Sequence, residues 1–458
     1  MKDVKLVKSV RIGGGMGYWG DDIAAPLRLV RDGNLDYLVM DYLAEVTMSI
    51  LQKQRRRDPN AGYATDIVDV IRSVLPDAVE KGVKIVCNAG GVNPLGCAEA
   101  VARVADELGL RDRVKIAAIT GDDLLGRIEE LQAAGVTLDN TETGQSLQEI
   151  GGELASANAY IGAEPVVTAL ESGATIVIAG RVADPSMTLG ALRFEHGWHA
   201  DDWDRLAAGI VAGHLIECGA HSTGGNHQAG WERVPAMEDI GFPIVEVDAS
   251  GRIVFGKVPG SGGLVDRETT IEQLLYEIGD PTAYLTPDVS CDWTSFTVTD
   301  LGDDQVEIVG CTGSPPPETL KVSAAYRDGY SATSMFLYSA PNAPGRAKKA
   351  LDVISHRVNR LCLDLEPIHS DLIGMGAVHG PRTPKTYEGE PNEVVLRVGF
   401  RSRNRADVSR AVAELSTVFH GPPGKTNLVS GRARVSETLG YWPTVVPRNL
   451  VKTDVVTI

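Results

Sequence analysis

The sequence predicts an α/β protein: a parallel, doubly wound type of sheet in an N-terminal domain over 1–285, followed by an α+β domain over 286–458. Three observations predict it. In the first half, short apolar runs that end in Gly, Asn or Asp open repeatedly into longer helical stretches, the pattern of βα units. Those runs are apolar on both faces, as strands of a parallel sheet covered by helices must be. Past residue 285 the rhythm changes to shorter strand candidates around two helices, which suits mixed or antiparallel pairing. A length of 458 residues exceeds one hydrophobic core. With 43% hydrophobic and 23% charged residues the composition is that of a chain folded throughout.

Taken in order, the strand candidates are VKSVRI before GGGMGYWGDD, LDYLVM before DYLAE, VKIVC before NAGGVNP, VKIAAI before TGDD and ATIVIA before GRVADP. Between them, 64–80 (with Pro76 near its end) and 97–108 (closed by Gly109) are amphipathic and read as crossover helices. In the second domain, SFTVTDL, DQVEIVG, LKVSAAY and EVVLRVGF read as strands and 346–363 and 405–418 as helices. This part is expected to serve oligomerisation or to cover the active site. Proline clusters at 315–317 and 381–384, and HGPPGK at 420–425, read as loops.

A formal charge of −17 repels polyanions, and no basic stripe offsets it, so nucleic acid is not an expected partner. The one basic run, Lys53, Arg55, Arg56 and Arg57, is either a solvated helix end or a cradle for phosphate or carboxylate. No apolar stretch approaches the ~20 residues of a membrane span, and the N-terminus alternates like a strand instead of a leader. A cytoplasmic location is the expectation. The six cysteines lack CxxC spacing and suit reduced thiols.

In such sheets ligands bind outside the carboxyl ends of the strands, where this chain places its polar and glycine-rich residues. The first such segment, Arg11 to Asp22, carries Gly14 and a GxGxxG at Gly15, Gly17 and Gly20, with Tyr18 and Trp19 between. Formally that is a dinucleotide fingerprint. Bulky Trp19, and Asp21 and Asp22 beside a would-be pyrophosphate, argue instead for a loop that shapes a substrate pocket or a tight turn.

Asp41 and Glu45 stand four apart at a strand-to-helix transition and can face one ligand; two acids of different burial split their pKa values as acid–base chemistry requires. The alternative makes Asp41 an N-cap and Glu45 a surface residue. Asn88, Gly90, Gly91 and Asn93 present amides and unhindered N–H groups suited to an oxyanion, or form a structural turn ahead of Pro94. Asp122 and Asp123, and Arg181 with Asp184, repeat the position. Arg181 either holds a carboxylate in two-point fashion or ties its loop to Asp184.

His214, Glu217, Cys218 and His221 share one helix face if the helix survives Gly219, with Asn226 just beyond; Cys218 and His221 are candidates for a Cys/His pair, and metal ligation is not expected. The loop 257–264 ahead of a helix at about 267–279 reads as an anion site or a lid. HExxH, GxSxG and Walker A patterns are absent.

The segments RIGGGMGYWGDD, LDYLVMDYLAEVTMSIL, CNAGGVNPLGCAEA, TGDDL, GRVADPSMTLGAL, AGHLIECGAHSTGGN and PGSGGLVDRETTIEQLLYEIGDP resemble, in this order, the acyclic terpene utilisation (AtuA) family, formerly a domain of unknown function. The resemblance is dense over roughly 10–295 and continues to GYWPTVVPRNLV. It implies bacterial and fungal catabolic enzymes encoded beside acyl-CoA dehydrogenases, carboxylases and hydratases that act on branched acids. It supplies no established catalytic residues. Longer members append a small ferredoxin-like domain, and the resemblance implies that here such a module is absent or a separate small subunit.

Together these readings predict a lyase, either a hydratase/dehydratase or a carbon–carbon lyase, acting on a branched acyl-CoA or related carboxylate. Asp41, Asp122 or Asp184 would move a proton beside a carbonyl, and loop N–H groups would hold the enolate. CoA enters only as part of the substrate, no cofactor is expected, and a homo-oligomer is. The alternatives are a nucleotide- or NAD(P)-dependent enzyme using the Gly15–Gly20 loop, and a non-catalytic scaffold subunit of an acyl-CoA-processing complex.

Overall fold

The computed structural model describes residues 9–150, 153–383, 389–419, 423–424, 426–429 and 431–458. The alternating segment 1–8 and most of the 420–425 loop lie outside them. The chain is a mixed α/β protein with several sheets.

Five of its strands, β1 (Ser9–Met16), β2 (Tyr37–Met40), β3 (Lys84–Cys87), β4 (Ile116–Thr120) and, after β5 (Leu154–Ala159), β6 (Ile176–Ile178), overlap the five apolar runs that the sequence singles out. They lie side by side in the order β1-β2-β3-β6-β4, every neighbour parallel. Each is apolar on both faces because each face meets helices. Leu38 and Met40 of β2 pack with α1 (Ala25–Asp32), α3 (Ile67–Lys81) and α4 (Pro94–Glu107), which follow and precede α2 (Glu45–Arg57) and α5 (Ile128–Ala133) along the chain. Tyr37 and Val39 face the other core with α6 (Glu164–Glu171), α7 (Asp184–His196) and α8 (Trp203–Ile216). Each Leu or Ile buried this way contributes about 1.5–3 kcal/mol. Pro76 lies inside α3, whose end is set by Gly82 in the left-handed conformation.

The expectation of a wholly parallel sheet is corrected. Among the described residues the sheet has ten strands in the order 297–302, 305–309, β8 (Ile253–Lys257), β7 (Pro243–Asp248), β1, β2, β3, β6, β4 and 454–457, and both flanks are antiparallel. The reason is connection length: the link between β7 and β8, residues 249–252, is too short for a crossover, so only a hairpin can form.

By compactness the chain falls into two units, and the division lies at 325/326 instead of 285/286. The first comprises the described residues to Glu149, Leu154–Ala325 and Tyr441–Ile458. Strands 297–302, 305–309 and 454–457 belong to it because they complete the ten-stranded sheet. The second comprises the described residues of Ile150–Glu153 and Tyr326–Gly440. There the strand Thr319–Ser339, entering from the first unit, is followed by helix Ala343–Asn359, strands His369–Ile373 and Glu393–Ser402, helix Arg405–Glu414 and strand Asn427–Leu428. Its antiparallel order, 369–373, 393–402, 319–339, 427–428, is that of a ferredoxin-like plait. Ala347, Ile354, Val408 and Ala411 of its helices pack on Phe336 and Leu396. Among the described residues, no helix is long and apolar enough to cross a membrane.

Candidate active site

At the carboxyl ends of β1, β2 and β6 the first unit encloses a cavity of about 1040 Å³. That is at the upper end of volumes that hold a cofactor-sized or drug-sized ligand. The chain reaches it because each parallel strand stops there: β1 delivers Gly17 and Tyr18, β2 delivers Asp41, β6 delivers Arg181, and the end of α8 adds Glu217, Cys218 and His221.

Asp41 follows the last residue of β2 and is buried. Its Oδ1 accepts hydrogen bonds from Asn88 Nδ2 at 2.5 Å and from Leu43 N at 3.0 Å. Asn88 in turn accepts from Tyr42 N at 2.7 Å, so the amide is fixed at both ends. Burial pushes the Asp41 carboxyl up to about 6, against the opposing pull of Arg181 and these donors, and the Glu217 carboxylate adds to the rise.

Arg181 is 1% exposed, held by protein groups on nearly every side. Its NH1 donates to Leu43 O at 2.8 Å, Nε and NH2 donate to Val182 O at 3.1 and 2.7 Å, and NH2 pairs with Asp184. The ring of Tyr160 lies 4.6 Å beneath the guanidinium. Two-point capture of a ligand carboxylate is therefore corrected: the fork grips Asp184 and a carbonyl, and Arg181 acts as a fixed positive charge in the wall. Asp122 sits behind it, outside the cavity lining, accepting from Arg181 N at 2.9 Å and Asn158 Nδ2 at 3.0 Å; burial pushes it too up to about 6. Asp41 and Arg181 thus line the cavity, while Asn88 bonds the first and Asp122 the second from outside the lining.

Glu45, the first residue of α2, lines the same cavity. Burial raises its carboxyl, but the Tyr160 hydroxyl at 2.8 Å, its own backbone N–H, Lys321 and Arg181 outweigh this and hold it below the ordinary value. One of the two acids spaced four apart is thus pushed up and the other down.

Helix α8 ends at Ile216, and a 3-10 turn, Gly219–Thr223, carries His221, so the four residues do not share one continuous helix. His214 is buried, facing Glu217 Oε1 at 2.8 Å through Nδ1 and Gln273 O at 2.9 Å through Nε2. His221 Nδ1 meets Gln273 Oε1 at 3.1 Å instead of a thiol, and burial pushes the Cys218 thiol up. The expected Cys/His pair is therefore corrected, because a nucleophilic cysteine needs a depressed pKa. Cys218→Ser is expected to keep most of the turnover, measured side by side with the parent enzyme. Loss on the scale of a removed nucleophile would restore the pair.

Other candidate residues lie outside the cavity lining, for physical reasons. Arg11 is on β1, tied to Gly33 O at 2.7 Å and Glu246 at 3.2 Å. Gly14 and Gly15 allow close packing: a Cβ on Gly14 would lie 2.1 Å from Ile216 O, and one on Gly15 would meet Leu38. Gly14→Ala is expected to cost about 1–3 kcal/mol, seen as a lower urea midpoint at unchanged slope, because backbone cannot yield as a side chain does. Trp19, half-buried, packs against the core to which α1 and α3 contribute. The N–H groups of Gly90 and Gly91 bond Ala179 O and Asn88 O, and Asn93 caps α4, so this turn offers no oxyanion site. Asp123 accepts from Leu125 N and stands 3.9 Å from Arg55, and Asn226 accepts from Gln228.

The glycine-rich loop does not fit a pyrophosphate. Gly17 N donates to Asp21 Oδ2, Trp19 N to Tyr42 O and Gly20 N to Asp66 Oδ2, so these three donors already have acceptors. The 257–264 loop is engaged in the same way, with Gly262, Gly263 and Leu264 donating to backbone carbonyls. In the basic run, Arg55 donates to Val92 O and Arg56 to Leu154 O, away from the cavity.

Among the residues that the sequence reading did not single out, Tyr160 and Lys321 line the cavity, and Gln273, outside the lining, holds His214 and His221. Tyr160 follows β5, whose LASANA has no apolar signature; Lys321 lies in a strand assigned to the other domain; Gln273 sits on α9 (Arg267–Leu275). Glu217 carried a usable signal, its spacing of three from His214.

The family model described as acyclic terpene utilisation family protein AtuA matches residues 10–457. No curated protein matches. Among solved structures, the de novo designed protein Ferredog-Diesel matches at 15% identity with a TM-score of 0.16, over 24% of this chain and 88% of its own. The prephenate dehydratase of Streptococcus mutans matches at 16% identity with a TM-score of 0.12, over 40% of this chain and 68% of its own.

Proposed function

Because the chain belongs to the acyclic terpene utilisation AtuA family, we propose that it is a catabolic lyase acting on a branched acyl-CoA or related carboxylate. In this reading Asp41 exchanges a proton with the bound substrate. One observation carries it: a buried carboxyl at about 6 in a cavity wall that also holds the fixed guanidinium of Arg181. A carboxyl near neutrality passes a proton in either direction at little cost, and a desolvated guanidinium stabilises charge developing on a carbonyl oxygen.

Charge decides which end of such a substrate enters. The lining carries Asp21, Asp41, Glu45, Asp184, Glu217 and Glu277 against Arg181 and Lys321. The acyl end is accepted and the phosphate-rich end of CoA stays outside. Leu43, Met237, Ile240, Leu285 and Leu320 supply apolar wall for a branched chain.

The test is turnover on a panel of branched enoyl- and 3-hydroxyacyl-CoA thioesters, followed by absorbance of the conjugated thioester. Turnover by the parent protein that is lost in Asp41→Asn is the expected result. Absence of turnover on every thioester, or full activity in the variant, overturns the reading.

A further inference from the structure

Glu217 lines the cavity opposite in role to Asp41, and its two oxygens have different surroundings. Oε1 faces His214 Nδ1 at 2.8 Å. Oε2 is shielded from solvent and has no hydrogen-bond partner among the described residues. A carboxylate oxygen buried without a donor is costly and calls for a functional explanation.

The state of the pair follows from its far side. His214 Nε2 lies 2.9 Å from Gln273 O, and a carbonyl only accepts, so Nε2 carries a hydrogen. A hydrogen bond at Nδ1 then needs one further proton between Nδ1 and Oε1. Burial alone would push the imidazole down, but the Glu217 carboxylate and both hydrogen bonds outweigh this and raise it above the ordinary value, which favours imidazolium beside carboxylate. The ring is fixed by Trp293, edge-on at 5.4 Å. Oε2 is left without a donor, on a residue of the cavity lining. Asp41 is surrounded differently: both of these donors sit on Oδ1, and burial pushes its carboxyl up.

Two carboxyl groups with unlike surroundings in one cavity suit elimination and addition of water, in which one group takes a proton and the other gives one. We propose that Glu217 takes the C2 proton of a 3-hydroxyacyl thioester while Asp41 protonates the departing C3 hydroxyl. This rests on the reading of the cavity as a thioester lyase site. The C2–H bond breaks toward Glu217 Oε2, its electron pair forms the C2–C3 double bond, and the C3–O bond breaks as oxygen leaves with the Asp41 proton as water. Glu217 ends protonated and Asp41 ionised, ready for the reverse addition, and no oxidant or reductant enters.

The probe is 3-hydroxy-3-methylbutanoyl-CoA in deuterium oxide, with C2 hydrogen exchange read by mass spectrometry and dehydration by absorbance. Glu217→Gln is expected to lose exchange and dehydration together by about 10²–10⁴-fold, with Glu217→Asp recovering part of both. Asp41→Asn is expected to lose dehydration while exchange survives at a reduced rate. Exchange at the parental rate in a folded Glu217→Gln protein overturns the assignment and leaves the lyase reading standing. Neither exchange nor dehydration by the parent protein overturns both.

Discussion

Asp41→Asn is expected to abolish turnover and, above neutral pH, to make the protein more stable. The loss of activity is that of a removed acid–base group, about 10²–10⁴-fold. The gain in stability follows from linkage. An aspartate titrates near 3.9 in an unfolded chain, and in the folded protein Asp41 is pushed up to about 6. A raised carboxyl contributes stability that is fully present below about pH 4 and lost as pH climbs through about 6. At pH 8 the folded protein therefore carries a buried charge that an asparagine would not. The two proteins should melt alike at pH 4, with the variant ahead at pH 8 by up to about 3 kcal/mol, since each tenfold change in proton affinity is worth about 1.36 kcal/mol. A variant destabilised equally at both pH values would contradict burial of a charge at this position. The combination is familiar where a site is preorganised against stability.

Arg181→Leu is expected to be the most destabilising single change in the site, by about 3–5 kcal/mol. The leucine would leave Asp184 without its counter-charge, and Leu43 O and Val182 O without their guanidinium donors. Arg181→Lys should recover little, because one ammonium cannot replace a planar fork that reaches three acceptors at once and stacks on Tyr160. Urea titration of both variants is the measurement. A lysine variant within about 1 kcal/mol of the parent, the usual worth of an exposed pair, would show that charge alone matters there.

The central sheet was legible because β1, β2, β3, β4 and β6 are apolar on both faces and end in small or polar residues, a pattern with few competing explanations. The flanking strands were not assigned to it: 297–302 and 305–309 alternate like strands of any antiparallel sheet, and only tertiary pairing decides which one they join. Asp41, Glu45, Arg181 and Asp184 were found by one rule, that ligands gather at the carboxyl ends of parallel strands. The same rule overreached at Gly90, Gly91, Asn93 and Asp123, where the polar groups satisfy one another. Spacing reveals that donors exist; it does not reveal that Ala179 O or Asn88 O has already taken them. Tyr160, Lys321 and Gln273 come from distant segments with no local motif, which is why only the folded chain reveals them.

Central to the proposed chemistry is a cavity that holds Asp41 as a carboxyl changing charge near neutrality, with Glu217 in the same lining. The most direct test is a titration of the unliganded protein carrying ¹³C-labelled aspartate side chains, with the Asp41 resonance assigned by its absence in Asp41→Asn. A midpoint near 6 for that resonance is the expected result. A midpoint near the 3.9 of an unfolded aspartate would mean that Asp41 is permanently ionised at working pH, and the proton-transfer role assigned to it would fall.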